Sequence, residues 1–298
     1  MNSWLNIYKP KGISSAKAVA LVKRLFRGNK VGHTGTLDLE AEGVLPIAIG
    51  QATKLTSILI DATKTYVFTV KFGAKTDTAD LAGKIIAACQ YIPSKNECIN
   101  ACQKFTGQIT QIPPAYSALK VGGIRAYKLA REEKKVILQP RKINIYHLEL
   151  LDYNQYEKTA TYVASCSKGT YIRTLAEDIS LSLQSLGFVV ELRRTKVGMF
   201  TEENSVNVND FVDLEQKEAR LLLNAKCLKI EDVLDDIPVF NASNDVAKKI
   251  SFGQKVCFES DLNYDLIWIR HNSKIIATGS LHNNDFKSLR VFNYNNGE

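Results

Sequence analysis

Apolar residues recur along the chain in two rhythms, and each predicts its own kind of element. Tyr66-Val-Phe-Thr-Val-Lys-Phe72 alternates strictly, placing Tyr66, Phe68, Val70 and Phe72 on one face of a half-buried strand. Residues 141 to 151 and 159 to 167 read as paired strands joined across Tyr153–Lys158, and 188 to 194 as a further strand. Helical spacing appears where Ala18, Val22 and Leu25 follow a capping Ser14 or Ser15, running to about Arg27 with Gly28 beyond. Ser94-Lys-Asn-Glu97 is a capping box, followed by Ile99, Cys102 and Phe105 and closed by Gly107. Ile172, Leu175, Ile179, Leu183 and Leu186 form the stripe of a helix over 171 to 186, and a further helical pattern covers 214 to 225.

After the acidic pairs Glu231-Asp232 and Asp235-Asp236 comes Pro238, and the rhythm changes to short strands at 256–259, 266–270, 274–278 and 289–292 among Asn, Ser and Gly turns. A domain boundary is expected there. Strands and helices are interspersed without regular βαβ alternation, so the predicted class is α+β with a small β-rich C-terminal module.

Composition narrows the picture. Hydrophobic residues at 45% and charged residues at 23% suit a globular core, and no stretch is apolar for the eighteen or so residues a membrane span needs. A soluble, cytoplasmic protein is the expectation. The six cysteines form no Cys-x-x-Cys and lack neighbouring histidines, which predicts free thiols and no metal site. Charge is uneven. The first 37 residues carry seven Lys or Arg and no acid, and 120 to 142 carry eight basic residues against Glu132 and Glu133. By contrast, 201 to 240 has ten acids and four bases. Two basic blocks within a net charge of +8 point to an extended polyanion as partner.

The segment Gly32-His-Thr-Gly-Thr-Leu-Asp-Leu-Glu-Ala-Glu-Gly43 concentrates glycine and carboxylate. Its Asp38-x-Glu40-x-Glu42-Gly43 opening fits a calcium loop, but the twelfth position is Ile49 where a bidentate Glu is needed. No phosphate-loop pattern is present, and Ser165-Cys-Ser-Lys168 is better read as a strand-to-helix turn than as a hydrolase motif. Leu37 and Leu39 are expected to point inward, leaving Asp38 partly desolvated and in need of a cation to stay charged. On residues alone, Asp38 is read as either a turn cap or a reactive carboxylate.

The motifs taken together resemble the bacterial tRNA pseudouridine-55 synthases of the TruB family. The resemblance runs through Lys9-Pro-Lys-Gly-Ile-Ser-Ser15, Lys30-Val-Gly-His-Thr-Gly-Thr-Leu-Asp38, Gly43-Val-Leu-Pro-Ile47 and Ala52-Thr-Lys54. It continues through Lys64-Thr-Tyr66, the Gly73 to Gly83 segment, Gln111 to Lys120, Lys168-Gly-Thr-Tyr-Ile-Arg-Thr174 and Leu192-Arg-Arg-Thr195. It implies a mixed, mainly antiparallel pseudouridine-synthase-like sheet flanked by helices over residues 1–235, with an RNA-gripping insertion at about 112–142. A small PUA-like RNA-binding domain is implied over 236–298.

The implied reaction isomerises a T-loop uridine of tRNA, uridine 55, to pseudouridine without cofactor or metal. A monomer with no obligatory protein partner and no membrane association is the expectation. Asp38 is implied as the carboxylate that attacks the sugar or base, or takes a sugar proton. Arg173 is implied as its ion-pair partner and Tyr66 as the aromatic platform for the flipped base. His33 is implied to help hold the extruded region and Tyr171 and Leu192 to line the uracil pocket, with Asp80 and Lys9 in support. One departure stands out: the family's proline after the aspartate is replaced by Leu39, and Glu40 and Glu42 add charge. That departure keeps open an alternative, a non-catalytic tRNA-binding protein or folding chaperone.

Overall fold

A computed structural model describes residues 1–132, 134 and 136–293. Glu133 and Lys135 of the expected insertion, and the last five residues of the expected C-terminal domain, lie outside it. Among the described residues, an 11-stranded sheet forms the body of the molecule. Its main path runs Val206–Asn207, Ser3–Lys9, Glu42–Ile49, Gly187–Val197, Lys64–Phe72, Thr159–Cys166, Arg141–Asn154 and Gly107–Gln111. Parallel pairing occurs at two places, between Ser3–Lys9 and Val206–Asn207 and between Glu42–Ile49 and Gly187–Val197. The sheet is therefore mixed and mainly antiparallel, as expected.

The periodic elements form where their patterns place them. Ser14 accepts from the Lys17 amide and opens the helix Ser15–Leu25. Ser94 and Glu97 cap each other's backbone at the start of Lys95–Phe105. The alternation from Tyr66 buries Phe68, Val70 and Phe72 beneath the helix Ile172–Ser182. Two central strands escape that reading. Ser3–Lys9 and Glu42–Ile49 are buried on both faces, so their apolar runs do not alternate.

Those two faces meet different neighbours. Leu5, Ile7, Leu45, Ile47 and Ile49 join the large core under helices Ser15–Leu25 and Ile172–Ser182. Trp4, Val44 and Ala48 pack on the other side with Phe200, Leu234, Trp268, Ile275 and Phe292. The C-terminal module is thus fastened to the reverse of the main sheet. Trp4 Nε1 donates to the Ile230 carbonyl at 3.3 Å, and Lys54 Nζ donates to the Val291 carbonyl at 2.7 Å. The module is a five-stranded sheet with its own core of Ile250, Val256, Ile267, Ile269, Ala277, Leu281 and Phe286.

Two expectations are corrected. The helix Asn244–Ser251 was not predicted. Its cap, Ser243 accepting from Val246, and its buried Ile250 are the signals for it. Leu39 faces solvent at 52% exposure, because the chain turns after Asp38 with the Ala41 amide donating to the Asp38 carbonyl.

Candidate active site

Asp38 sits in the connection between strand Val31–His33 and strand Glu42–Ile49. Ser15, at the start of its helix, clamps that connection: its Oγ accepts from the Leu37 amide at 2.8 Å and donates to the Leu37 carbonyl at 3.0 Å. Leu37 is buried beside it. Behind the connection lies Lys9, fully buried, with Nζ donating to the carbonyls of Pro10, Ile13 and Ala41 at 3.0, 2.9 and 2.5 Å. Burial pulls the Lys9 ammonium down to about 8, with the Asp38 carboxylate opposing that fall. Lys9 is placed under the loop and does not reach the cavity that Asp38 borders. Its role there is to hold the turn.

Arg173 comes from the first turn of the helix Ile172–Ser182 and is fixed on every side. Its Nε lies 2.9 Å from Asp38 Oδ2, Nη1 donates to the Thr78 carbonyl at 2.9 Å, and Nη2 donates to the Tyr116 carbonyl at 3.0 Å. Asp80 Oδ2 stands 3.6 Å from Nη1, and Asp80 is itself positioned by Thr78 Oγ1 at 2.6 Å and the Ala82 amide at 3.1 Å. The burial is unequal: the arginine side chain is 6% exposed and the aspartate 43%. One carboxylate oxygen is tied to a rigid guanidinium. The other, Oδ1, has no hydrogen bond among the described residues, and Asp38 borders a cavity.

That cavity has a volume of about 280 Å³ and is lined by Asp38, Tyr66, Tyr171, Arg173, Leu192 and Arg194, with the turn Ser167–Thr170 and Lys64. Tyr66 and Arg194 are neighbours across strands Lys64–Phe72 and Gly187–Val197. Burial holds the Tyr66 phenol above its usual range, with the Arg194 guanidinium hydrogen-bonded to it and opposing the rise. Arg194 is almost completely buried and donates to the Val44 and Gly35 carbonyls at 2.8 and 3.1 Å. Gly43 is what admits this strand so close: with φ at +108°, a Cβ there would lie 2.2 Å from the Arg194 carbonyl oxygen. Tyr171 is held at both backbone polar groups by the buried Gln111, whose Oε1 accepts at 2.8 Å and whose Nε2 donates at 3.1 Å. His33 lies in an adjoining open groove with Thr36, Asp38, Tyr127 and Arg131, its Nδ1 accepting from the Gly35 amide at 3.2 Å. Burial lowers the His33 imidazole below its usual range.

Asp38, Arg173, Tyr66, Tyr171, Leu192 and Asp80 therefore converge, His33 stands next door and Lys9 lies behind. Arg194, Gln111 and Thr78 were not singled out from the sequence. Arg194 lay within a quoted motif, but nothing in its spacing distinguishes it from the adjacent Arg193, which faces the other side of the sheet. The segment expected as the insertion borders the cavity through Ser117 and Ala118, and its Tyr116 carbonyl accepts from Arg173. Within it are a hairpin, Lys120–Val121 with Ile124–Arg125, and the helix Ala126–Arg131.

Comparison with known proteins identifies the family. The family model for the N-terminal domain of TruB family pseudouridylate synthases matches residues 23–172, and that for the tRNA pseudouridylate synthase B C-terminal domain matches 173–236. The chain is 60% identical over 294 residues to tRNA pseudouridine synthase B of Rickettsia bellii (strain OSU 85-389), spanning 98% of this chain and 99% of that one. It is 54% identical over 293 residues to the same enzyme of Rickettsia akari (strain Hartford), with the same coverage of each chain. Among solved structures, a chain of a Cbf5–Nop10–Gar1 complex superposes with a TM-score of 0.72 at 23% identity, covering 98% of this chain and 84% of that one, which shows a shared fold. By sequence over its whole length, the chain belongs to the TruB family of pseudouridylate synthases.

Proposed function

We propose that the protein isomerises a uridine in the T loop of tRNA, uridine 55, to pseudouridine, with Asp38 as the reacting carboxylate. The family makes it an enzyme of the isomerase class, and the substrate follows from relatives that are tRNA pseudouridine synthases. The observation that carries the reading is the 2.9 Å contact from Arg173 to one oxygen of Asp38, with the second oxygen unpaired at the cavity.

The reaction breaks the N1–C1′ bond, turns the uracil and joins C5 to C1′, so the product has the same atoms as the substrate. The target uridine must first leave its stack. In this reading the extruded uracil lies against Tyr66, with Tyr171 and Leu192 forming the remaining walls. Asp38 then attacks covalently or removes a sugar proton, with Arg173 holding one of its oxygens by a charge-assisted hydrogen bond. The C5 proton is released after the new bond forms, and N1 takes one up. Asp80 and Thr78 act by holding Arg173, Lys9 by holding the turn, and His33 by contacting the RNA beside the extruded base.

Affinity comes from the basic N-terminal block and the basic insertion meeting phosphates, with the five-stranded C-terminal module as a second, PUA-like RNA contact over 236–298. We place the reaction in the cytoplasm, with a single chain sufficing. The test is to map pseudouridine in a T-arm stem-loop treated with the purified protein and no added cofactor. Conversion at one uridine is expected. Binding without conversion would overturn the proposal and select a tRNA-binding or refolding role.

A further inference from the structure

Five cations line the cavity: Lys64, Arg141, Lys168, Arg173 and Arg194. Four of them are committed. Lys64 Nζ donates to the carbonyls of Leu59, Ile60 and Ala62, and Lys168 Nζ meets Asp61 at 2.8 Å. Arg173 and Arg194 are spent on the contacts already given. Arg141 is different. Its Nε and Nη2 are buried and have no hydrogen-bond partner among the described residues.

The position of that guanidinium is well determined. Arg141 opens its strand opposite Gln111, the residue that fixes Tyr171. Its Cζ lies 4.8 Å from the centre of the Tyr171 ring, a cation–π arrangement. On its other flank is Gly169, where an added Cβ would stand 3.4 Å from Nη1. The guanidinium thus lies between the Tyr171 ring and the Gly169 backbone at the cavity wall. A charged group with idle donors in such a place is costly to the free protein unless a ligand supplies acceptors.

We infer that Arg141 is a positioning residue that grips a phosphodiester of the substrate strand next to the extruded nucleoside. The planar fork of donors matches two equivalent anionic oxygens, whereas a uracil carbonyl offers one uncharged acceptor. With the sugar at Asp38 and the base against Tyr66 and Tyr171, the group that follows along the strand is a phosphate. Stacking on Tyr171 then couples backbone grip to the shape of the base pocket. The inference rests on the reading of this cavity as the uridine site.

The test measures affinity for a T-arm stem-loop as a function of salt, for the unmutated protein, Arg141→Met and Arg141→Lys. Arg141→Met should weaken binding about tenfold at low salt. It should also lower the slope of log affinity against log salt by about 0.7 to 0.9, the release of one counterion. Arg141→Lys should keep the slope. A neutral methylphosphonate at one of the two phosphates flanking the target uridine should weaken binding to the unmutated protein by a similar factor and leave Arg141→Met unaffected. An unchanged slope in Arg141→Met, or methylphosphonates that weaken both proteins alike, would overturn the inference. A purely structural role through Tyr171 would lower melting temperature and turnover without moving the slope. Should Arg141→Met not fold, Arg141→Gln and the methylphosphonate series on the unmutated protein give the same readout. Pseudouridine is assayed in the same samples: its absence with the unmutated protein sinks the proposed reaction, while the slope still reports on Arg141.

Discussion

The two faces of the main sheet each carry an acid–arginine cluster, built from adjacent residues of the same strands. On the cavity face, Arg194 and Gly43 pair side by side near Asp38 and Arg173. One residue away, Arg193 pairs with Glu42 on the reverse face, where Tyr8 is held up to about 12, by burial first and then by Glu42 and Glu202. There Arg193 meets Glu202 at 3.0 Å, with the arginine side chain 43% exposed. The geometry inverts the cavity pair, in which the arginine is buried and the acid exposed. An open arginine on a partly buried acid can move and be screened by salt, so it is a surface ion pair. A buried arginine with all three of its nitrogens engaged is held in place, and its acid borders the cavity.

This contrast also settles the acids of Gly32–Gly43. Glu42 points to the reverse face and Glu40 is exposed at the rim, so neither sits against Asp38 in the cavity. The departure after Asp38 leaves the Asp38–Arg173 contact intact.

The strongest way to break the comparison is Asp38→Asn. Removing the charge while keeping the shape should reduce pseudouridine formation by at least about a thousandfold, with RNA affinity within roughly 1 kcal/mol of the unmutated protein. Single-turnover conversion and filter binding measure the two quantities. Full turnover by the variant would refute the role of Asp38. Next comes Arg173→Lys, which keeps a positive charge but cannot reach Asp38, Thr78 and Tyr116 together. Turnover should fall roughly a hundredfold with binding preserved. The matching change on the reverse face, Arg193→Lys, should leave turnover within about twofold.

How much of this was legible beforehand follows from strand parity. The half-buried strand Lys64–Phe72 and the helices Ser15–Leu25 and Lys95–Phe105 announce themselves because one face is polar. Ser3–Lys9 and Glu42–Ile49 do not, since both faces are covered and no alternation survives. The positions of Asp38, Tyr66 and Arg173 came from motif resemblance, and their convergence is a tertiary fact that spacing cannot supply. Arg194 and Arg141 were missed because a buried arginine looks like a surface arginine in sequence. Leu39 was misjudged because the turn after Asp38 removes the regular geometry on which an inward–outward argument depends.

Lys9 sharpens the comparison from beneath. Lys9→Met leaves three buried carbonyls without a donor and should cost on the order of 1–3 kcal/mol. Its pH signature has a definite sign. The folded chain releases the Lys9 proton near pH 8, whereas the unfolded chain keeps it to about 10.5. Within that window the unfolded state binds more protons, so stability should gain with rising pH. Denaturant unfolding at pH 7.5, 8.5 and 9.5 should show this gain in the unmutated protein and less of it in Lys9→Met. Parallel curves would mean that the ammonium is not desolvated.

The smallest effect separates the two added acids. Glu40 is exposed at the edge of the groove that contains His33, Asp38 and Arg131, where RNA phosphates would pass. Its charge opposes the incoming strand, but solvent screens it, so Glu40→Gln should tighten RNA binding by about two- to threefold at low salt and not at all near 0.5 M. Glu42→Gln, on the reverse face, should leave affinity unchanged at both salt concentrations and register as a small change in stability through Tyr8. Equal effects of the two variants on RNA binding would mean that the faces are not electrically separate, and that the acids flanking Asp38 act as one field on the substrate.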